Sequence, residues 1–371
     1  MTLILTLIGA AGLSVAVTAL VRVMARHYGV LDRPGGRKRH GTPTPLLGGF
    51  AIYLSLVGAV VALSSMGLFN GSHIKAKYLV GIIAAASFLA FGGALDDRYD
   101  LKPWRQLIWP VLAVVAVIAS GIGVAYVTNP FGGVIELNRM TTTVLWLDGI
   151  PYRLTLLADL FALAWLLTMT YTTKFLDGLD GLVSGVTVIG CLVVAAVSLT
   201  RDVAQPDTAL LALAIGGVFA GFLAFNFHPA RMFLGEGGST LAGFLLGTLA
   251  IISGGKIATT LLVLGLPLFD AMVVVVRRLL AGRSPFGGDR SHLHFLLVDG
   301  GIPHGRAVLL YWFLSALFGI STLLLDGLQK MAAFALAGSL VLGGAAFFLS
   351  ARKRSAGQPA GNDSDSYGQT E

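Results

Sequence analysis

Charge is what this sequence has least of. Only 12% of its 371 residues are Asp, Glu, Lys or Arg, about half the share found in soluble globular chains, which excludes an ordinary cytosolic enzyme. Cysteine is scarcer still. The one cysteine, Cys191, lies in an apolar stretch, so the chain has neither a disulfide framework nor a Cys-based metal site. Disorder is excluded as well, because 55% of the residues are hydrophobic and the mean hydropathy is +0.80.

What is there instead is a succession of apolar stretches, at 3–23, 46–68, 78–95, 106–128, 154–173, 183–200, 207–225, 238–253, 257–276, 307–325 and 331–350. Each is close to the roughly 20 residues that cross a bilayer as helix. They predict an all-α polytopic integral membrane protein of about eleven transmembrane helices. The 48 glycines fit, since small residues let such helices approach closely. The first stretch lacks a basic leading segment and is too long for a signal peptide, so it is read as a retained span.

Lys and Arg placement orients the chain. Of the 26 cations, Lys75, Lys77, Arg139, Arg153, Arg201, Lys256 and Lys330 fall in one set of loops, and all the others in the opposite set. The richer set is expected in the cytoplasm, with the N-terminus outside and the C-terminus inside. Residues 129–153 form the one long external loop. There 134–137 and 143–147 have strand character, and Asp148-Gly149 is a turn signal for a small external β-hairpin. Residues 1–350 are expected to form one membrane domain, and 351–371 a basic and then disordered cytoplasmic tail.

The unusual polar residues lie in the cytoplasmic loops. Arg37-Lys38-Arg39-His40 leads through Pro43-Thr44-Pro45 to Gly48-Gly49, either a positive-inside anchor or a basic collar for phosphate. Asp96-Asp97-Arg98-Tyr99-Asp100 directly follows a span. Adjacent carboxylates there are costly unless a cation joins them, and a divalent ion carrying a diphosphate would do so; a solvated loop is the bland alternative. Lys174-Phe175-Leu176-Asp177-Gly178-Leu179-Asp180-Gly181 is the most specific segment. Its two aspartates share a face if the backbone is helical.

Asn226-Phe227-His228-Pro229-Ala230-Arg231 precedes Gly235-Glu236-Gly237-Gly238-Ser239. A glycine-rich turn entering a helix offers N–H groups to phosphate, and Glu236 adds an oxygen ligand of the kind Mg²⁺ prefers. Close helix packing by small residues competes with that explanation, and the missing Gly-Lys-Ser/Thr excludes a Walker A loop. Arg277-Arg278, Arg283, Asp289-Arg290 and His292-Leu293-His294 make an anion grip, for which zinc is a weak rival. Asp270, inside a span, is a functional candidate by position. His27, His73 and His304 read as ordinary loop or interfacial residues.

The five clusters, in this order over residues 30–305, resemble the polyprenyl-phosphate N-acetylhexosamine-1-phosphate transferase family, glycosyltransferase family 4. The resemblance implies transfer of a sugar 1-phosphate from a UDP-sugar to polyprenyl (undecaprenyl) phosphate, with release of UMP and use of Mg²⁺ or Mn²⁺. It implies Asp96, Asp97, Asp177 and Asp180 as catalytic residues and Glu236, Asp177 and Asp180 as metal ligands. Lys38, His40, Lys174, Asn226, Arg277, Arg278, Arg283, Arg290, His292 and His294 are implied for substrate binding. Asp96 and Asp97 stand open as base or metal ligand.

The histidine pattern and the Ser284-Pro285-Phe286…Asp289-Arg290 spacing resemble the GlcNAc-1-phosphate branch more than the muramyl-pentapeptide branch. Three positions depart from the family: Lys174 stands for the usual Asn, Glu236 for Asp, and Phe295 for a further His. Localisation in a bacterial cytoplasmic membrane and a cell-envelope polysaccharide pathway follow as expectations; a homodimer is compatible, and no nucleic-acid partner is expected. Two rival classes remain. An Asp-rich intramembrane prenyl- or phosphotransferase lacks support, because the Asp-Gly-x-x-Ala-Arg pattern of CDP-alcohol enzymes is missing after Asp177. A transporter would place its ionisable residues at mid-membrane.

Overall fold

The computed structural model describes residues 1–32, 43–69, 73–129, 133–147, 150–254, 257–284 and 289–356. Lys38, His40 and the tail beyond 356 lie outside them. Helix α1 (Thr2–His27) is followed by a two-residue ladder, β1 (Leu31–Asp32) with β2 (Thr44–Pro45). Then come α2 (Gly48–Ser65), α3 (Ala76–Tyr99) and α4 (Pro103–Ala119). Two antiparallel hairpins occupy the next stretch: β3 (Tyr126–Thr128) pairs with β4 (Val134–Glu136), and β5 (Thr141–Leu147) with β6 (Ile150–Thr155). The chain continues through α5 (Leu156–Leu176), α6 (Leu182–Ser198), α7 (Pro206–Asn226), α8 (Gly235–Ile252), α9 (Ile257–Val263) and α10 (Gly265–Leu280). It closes with the short α11 (Leu293–Asp299), α12 (His304–Ser321) and α13 (Gly327–Ala356).

Every apolar stretch contains helix, and the helix ends are set by local chemistry. Pro103 and Pro206 open α4 and α7, where a missing N–H costs nothing and the fixed φ suits a helix. Among the described residues, seven helices are long and apolar enough to cross a membrane, and eight if α9 and α10, bent by 76° at their junction, count as one span. Helices α4 and α6 are apolar but shorter. The chain is a multi-pass membrane protein.

These expectations change here. The stretch 106–128 is not one helix, since α4 ends at Ala119 and 126–128 is strand. The stretch 257–276 is broken. Asp96 and Asp97 are not in a loop; they sit in the last turn of α3. Between α4 and α5, 134–136 pairs with 126–128, and 143–147 with 150–153.

Burial runs from the middle outward. In α7 and α8, 78% and 83% of the spanning window is buried, against 28% in α1 and 22% in the last helix. Phe219, Phe222 and Phe244 are fully buried on these central helices, whereas Ile4, Ile8, Val115 and Phe347 on the outer ones are exposed. An apolar exterior around an apolar interior is the pattern of a chain solvated by lipid tails. Some polar groups that enter the interior are bonded to backbone carbonyls: Ser14 Oγ donates to the Val218 carbonyl at 2.6 Å and Trp165 Nε1 to the Gly247 carbonyl at 3.0 Å. Near the site, Thr173 Oγ1 donates to the Ser239 carbonyl at 2.8 Å, fixing the end of α5 against the start of α8.

Candidate active site

The polar residues collect at the C-terminal ends of α3, α5, α7 and α10 and the N-terminal ends of α2, α4, α6, α8 and α12, which form one face if each span crosses once. The α3–α8 contact is its centre. The Glu236 amide, at the start of α8, donates to Asp97 Oδ1 at 3.0 Å, and the Leu47 amide reaches Asp97 Oδ2 at 3.4 Å. A helix N-terminus favours carboxylates at this position. Gly235 takes φ +71°, and a Cβ on it would strike the Asp97 carboxylate, so the glycine before Glu236 is a requirement of the site. The Leu47 segment is held in place by the Phe233 amide donating to the Pro45 carbonyl at 2.9 Å and the Gly49 amide to the Leu234 carbonyl at 2.8 Å.

Asp96 points elsewhere. Its Oδ1 accepts the Leu101 amide and Gln106 Nε2, both at 2.9 Å, which ties the turn between α3 and α4. Gln106 Oε1 in turn accepts from Lys174 Nζ at 2.8 Å, and the same ammonium lies 2.6 Å from Glu236 Oε1. Asp96, Gln106, Lys174 and Glu236 thus form one bonded chain across four helices.

Asp177 caps α5 and leaves helical geometry, with φ −75° and ψ 59°. The helical spacing expected for Asp177 and Asp180 therefore does not hold, and the two diverge. The Asp177 carboxyl faces the acidic cluster; the protein packed around it, then Glu236, Asp97 and Asp180, push it well above the usual carboxylate range. Asp180 Oδ2 accepts the Ala230 amide at 3.1 Å and lies 2.9 Å from His228 Nδ1. The His228 ring stacks on His304 with centroids 4.0 Å apart, so His304 belongs to this cluster rather than to an ordinary interface. Asn226 is buried and spent within the fold: its Oδ1 accepts the Gly181 amide and the Ser184 hydroxyl, and its Nδ2 donates to the Met232 carbonyl. These bonds shape the loop between α7 and α8 against the start of α6.

The histidine segment is built around Asp270. His292 Nδ1 lies 3.1 Å from Asp270 Oδ2, the Leu293 amide donates to Oδ1 at 2.7 Å, and His294 Nδ1 is 3.5 Å away. Both imidazoles are buried, His294 completely, and burial holds the His294 pKa down. His292 stacks on Phe175 with centroids at 6.1 Å. Gly178 packs so tightly on His294 that a Cβ there would strike the ring. These histidines support the Asp177–Asp180 loop from behind.

The arginines divide. Arg278 donates to the Ser284 carbonyl at 2.7 Å and to Asp289 Oδ2 at 3.2 Å, and Arg290 donates to Asp299 Oδ1 at 3.1 Å. Burial raises the Asp289 carboxyl, but bonds from Ser291 and Arg278 outweigh it and hold the pKa below the usual range. Arg277 and Arg283 are exposed.

Among the described residues, two sets of three possible metal ligands lie within 4.8 Å of one another: Asp180, His228 and His304, and Asp270, His292 and His294. In each set the imidazoles are nearly parallel, at 15° and 18°, so their in-plane lone pairs run side by side instead of converging. Asp97, Asp177 and Glu236 do not form so tight a set. Their chemistry fits Mg²⁺ or Mn²⁺, because Mg²⁺ takes one or two carboxylates and completes its shell with water and substrate phosphate.

Gln106 and His304 join the site without having been singled out for it in the sequence, and His228 was part of a quoted segment without a role of its own. Gln106 carried one signal, an amide at the edge of an otherwise apolar stretch.

The family model described as "Glycosyl transferase family 4" matches residues 79–254. The decaprenyl-phosphate N-acetylglucosaminephosphotransferase of Mycolicibacterium smegmatis is 30% identical over 320 residues, covering 80% of this chain and 75% of that protein. The enzyme of the same name from Mycobacterium tuberculosis (strain H37Rv) is 28% identical over 364 residues, covering 91% and 86%. The undecaprenyl-phosphate alpha-N-acetylglucosaminyl 1-phosphate transferase of Escherichia coli K12 is 28% identical over 307 residues, covering 80% and 76%.

Proposed function

The chain belongs to glycosyl transferase family 4, and on that premise we propose that it transfers N-acetylglucosamine 1-phosphate from UDP-N-acetylglucosamine to a polyprenyl phosphate. UMP leaves, and the product is a lipid-diphosphate sugar for cell-envelope polysaccharide synthesis. We further place it in a bacterial cytoplasmic membrane, as about eleven spans in one domain over 1–350, with the N-terminus outside and the site facing the cytoplasm. The observation that supports this function most strongly is the gathering of Asp97, Asp177 and Glu236, from three distant segments, at one end of the helices, with Lys174 paired to Glu236.

In the reaction an oxygen of the lipid phosphate attacks the phosphorus that carries the sugar. A new P–O bond forms, the anhydride bond to the nucleoside phosphate breaks, and its electron pair leaves on UMP. Both reactants are anions, so the protein's task is alignment and neutralisation. Asp97, with its carboxylate fixed by two backbone amides, is placed to take the lipid phosphate's proton at Oδ1 or Oδ2; Asp96 is committed to the α3–α4 turn. Asp177 and Glu236 would hold Mg²⁺ or Mn²⁺, which when bound supplies charge neutralisation to the diphosphate. The exposed Arg277 and Arg283 reach for the nucleotide phosphates as bidentate donors. Asp180, paired with His228, lies on the same loop as Asp177. Arg278, Arg290, His292 and His294 hold the loops in place.

Purified protein incubated with polyprenyl phosphate, Mg²⁺ and a panel of UDP-sugars is expected to release UMP, fastest with UDP-N-acetylglucosamine. No UMP with any sugar, from monodisperse protein, would refute the assignment.

A further inference from the structure

We propose that Lys174 is a resident counter-cation of the acidic cluster and that it weakens the cluster's hold on a divalent ion until a diphosphate arrives. This rests on the assignment of Glu236 and its neighbours as a divalent-cation site. Lys174 leaves the last turn of α5, where the helix end favours a positive charge, and its ammonium lies between Glu236 Oε1 at 2.6 Å and Gln106 Oε1 at 2.8 Å. It also stands 5.4 Å from the Tyr171 ring centroid. Among the described residues it is the one cation ion-paired with Asp96, Asp97, Asp177 or Glu236.

The side chains of Lys174 and Glu236 are only 18% and 17% exposed, so solvent screens their charges poorly. A divalent ion approaching Glu236 meets a carboxylate already paired and a like charge beside it. Gln106 extends the effect, because the amide that accepts from Lys174 also donates to Asp96, holding a second carboxylate in the same bonded chain. Two of the three departures from the family pattern, Lys174 and Glu236, are therefore each other's partners: the longer acid meets a long cation across the α5–α8 contact. A site balanced in this way takes its metal productively together with the oxygens of a nucleotide diphosphate, and exchanges it easily when UMP leaves.

The test is Mn²⁺ binding without nucleotide, read as loss of the free-ion electron paramagnetic resonance signal on full-length, chelator-treated protein in detergent. Lys174→Gln keeps a polar partner for Gln106 and removes the charge. It is expected to bind Mn²⁺ roughly tenfold more tightly than wild type, or better. Lys174→Arg keeps the charge and is expected to bind as wild type does. In a Glu236→Gln background the gain from Lys174→Gln should vanish, because Lys174 acts through that carboxylate. Measurable binding that Lys174→Gln leaves unchanged or weakens overturns the proposal alone. If Lys174→Gln does not fold, the proposal is judged on Lys174→Asn by the same criterion. No saturable binding by wild type and variants overturns the divalent-site assignment as well, while UMP release reports separately on the transferase activity.

Discussion

Asp96 and Asp97 are neighbours in sequence and have different surroundings. Asp97 is fixed by the amides of Glu236 and Leu47, while Asp96 is bonded to Leu101 and Gln106 in a turn. Asp97→Asn and Asp177→Asn are each expected to lower UMP release by roughly a thousandfold, with the proteins still inserted and monodisperse. Asp96→Asn keeps an oxygen for both of its donors and should fall by less than about tenfold. Normal turnover by either of the first two variants would remove that residue from the mechanism.

A pH dependence belongs to Asp177, whose carboxyl is raised by its surroundings and by Glu236, Asp97 and Asp180. Only the ionised form binds metal, so Mg²⁺ uptake should release a proton, and affinity should rise with pH from the acid side through neutrality. Without metal the linkage has the opposite consequence. A folded-state pKa above the unfolded one means that the unfolded chain gives up its proton first, so stability in chelator falls as pH rises above about 4. Calorimetric Mg²⁺ titrations in two buffers of different ionisation enthalpy, and thermal unfolding in chelator across pH, read both. The carboxylates themselves were legible as unusual charge in an apolar chain. Gln106 and His304 were not, because what recruits them is a neighbour on another helix, Lys174 for one and His228 for the other.

Among the helices, α10 and α11 depend on a single buried group. Asp270 bonds His292 and the Leu293 amide and stands beside His294. Its position inside a span already marked it as a functional candidate, although the partners it binds lie beyond the next loop. Asp270→Ala leaves a buried imidazole and an amide without their acceptor and should cost about 3 kcal/mol, with Asp270→Asn costing less; thermal unfolding in detergent measures both. Averaged hydropathy located the long helices but could not register the 76° bend between α9 and α10, since a break at Leu264 leaves the apolar run uninterrupted, nor the short α11. It also carried α4 too far, because β-branched Val127 and Thr128 extend an apolar run equally well as strand.

The proposed orientation, with the site on the cationic face, can be tested on the whole molecule. Cys191 is buried in α6, so Cys191→Ala gives a background without thiols. In it, a cysteine replacing Lys75 should react with a membrane-impermeant maleimide from outside intact cells, and one replacing Arg283 only after permeabilisation. The reverse pattern would invert the topology.

The account is tested most directly by following the phosphate. UDP-N-acetylglucosamine labelled in its β-phosphate, incubated with purified protein, polyprenyl phosphate and Mg²⁺, should pass the label into the lipid fraction and release unlabelled UMP. Label that stays in UDP while the sugar alone moves to lipid, or label that never leaves the nucleotide sugar, would contradict it.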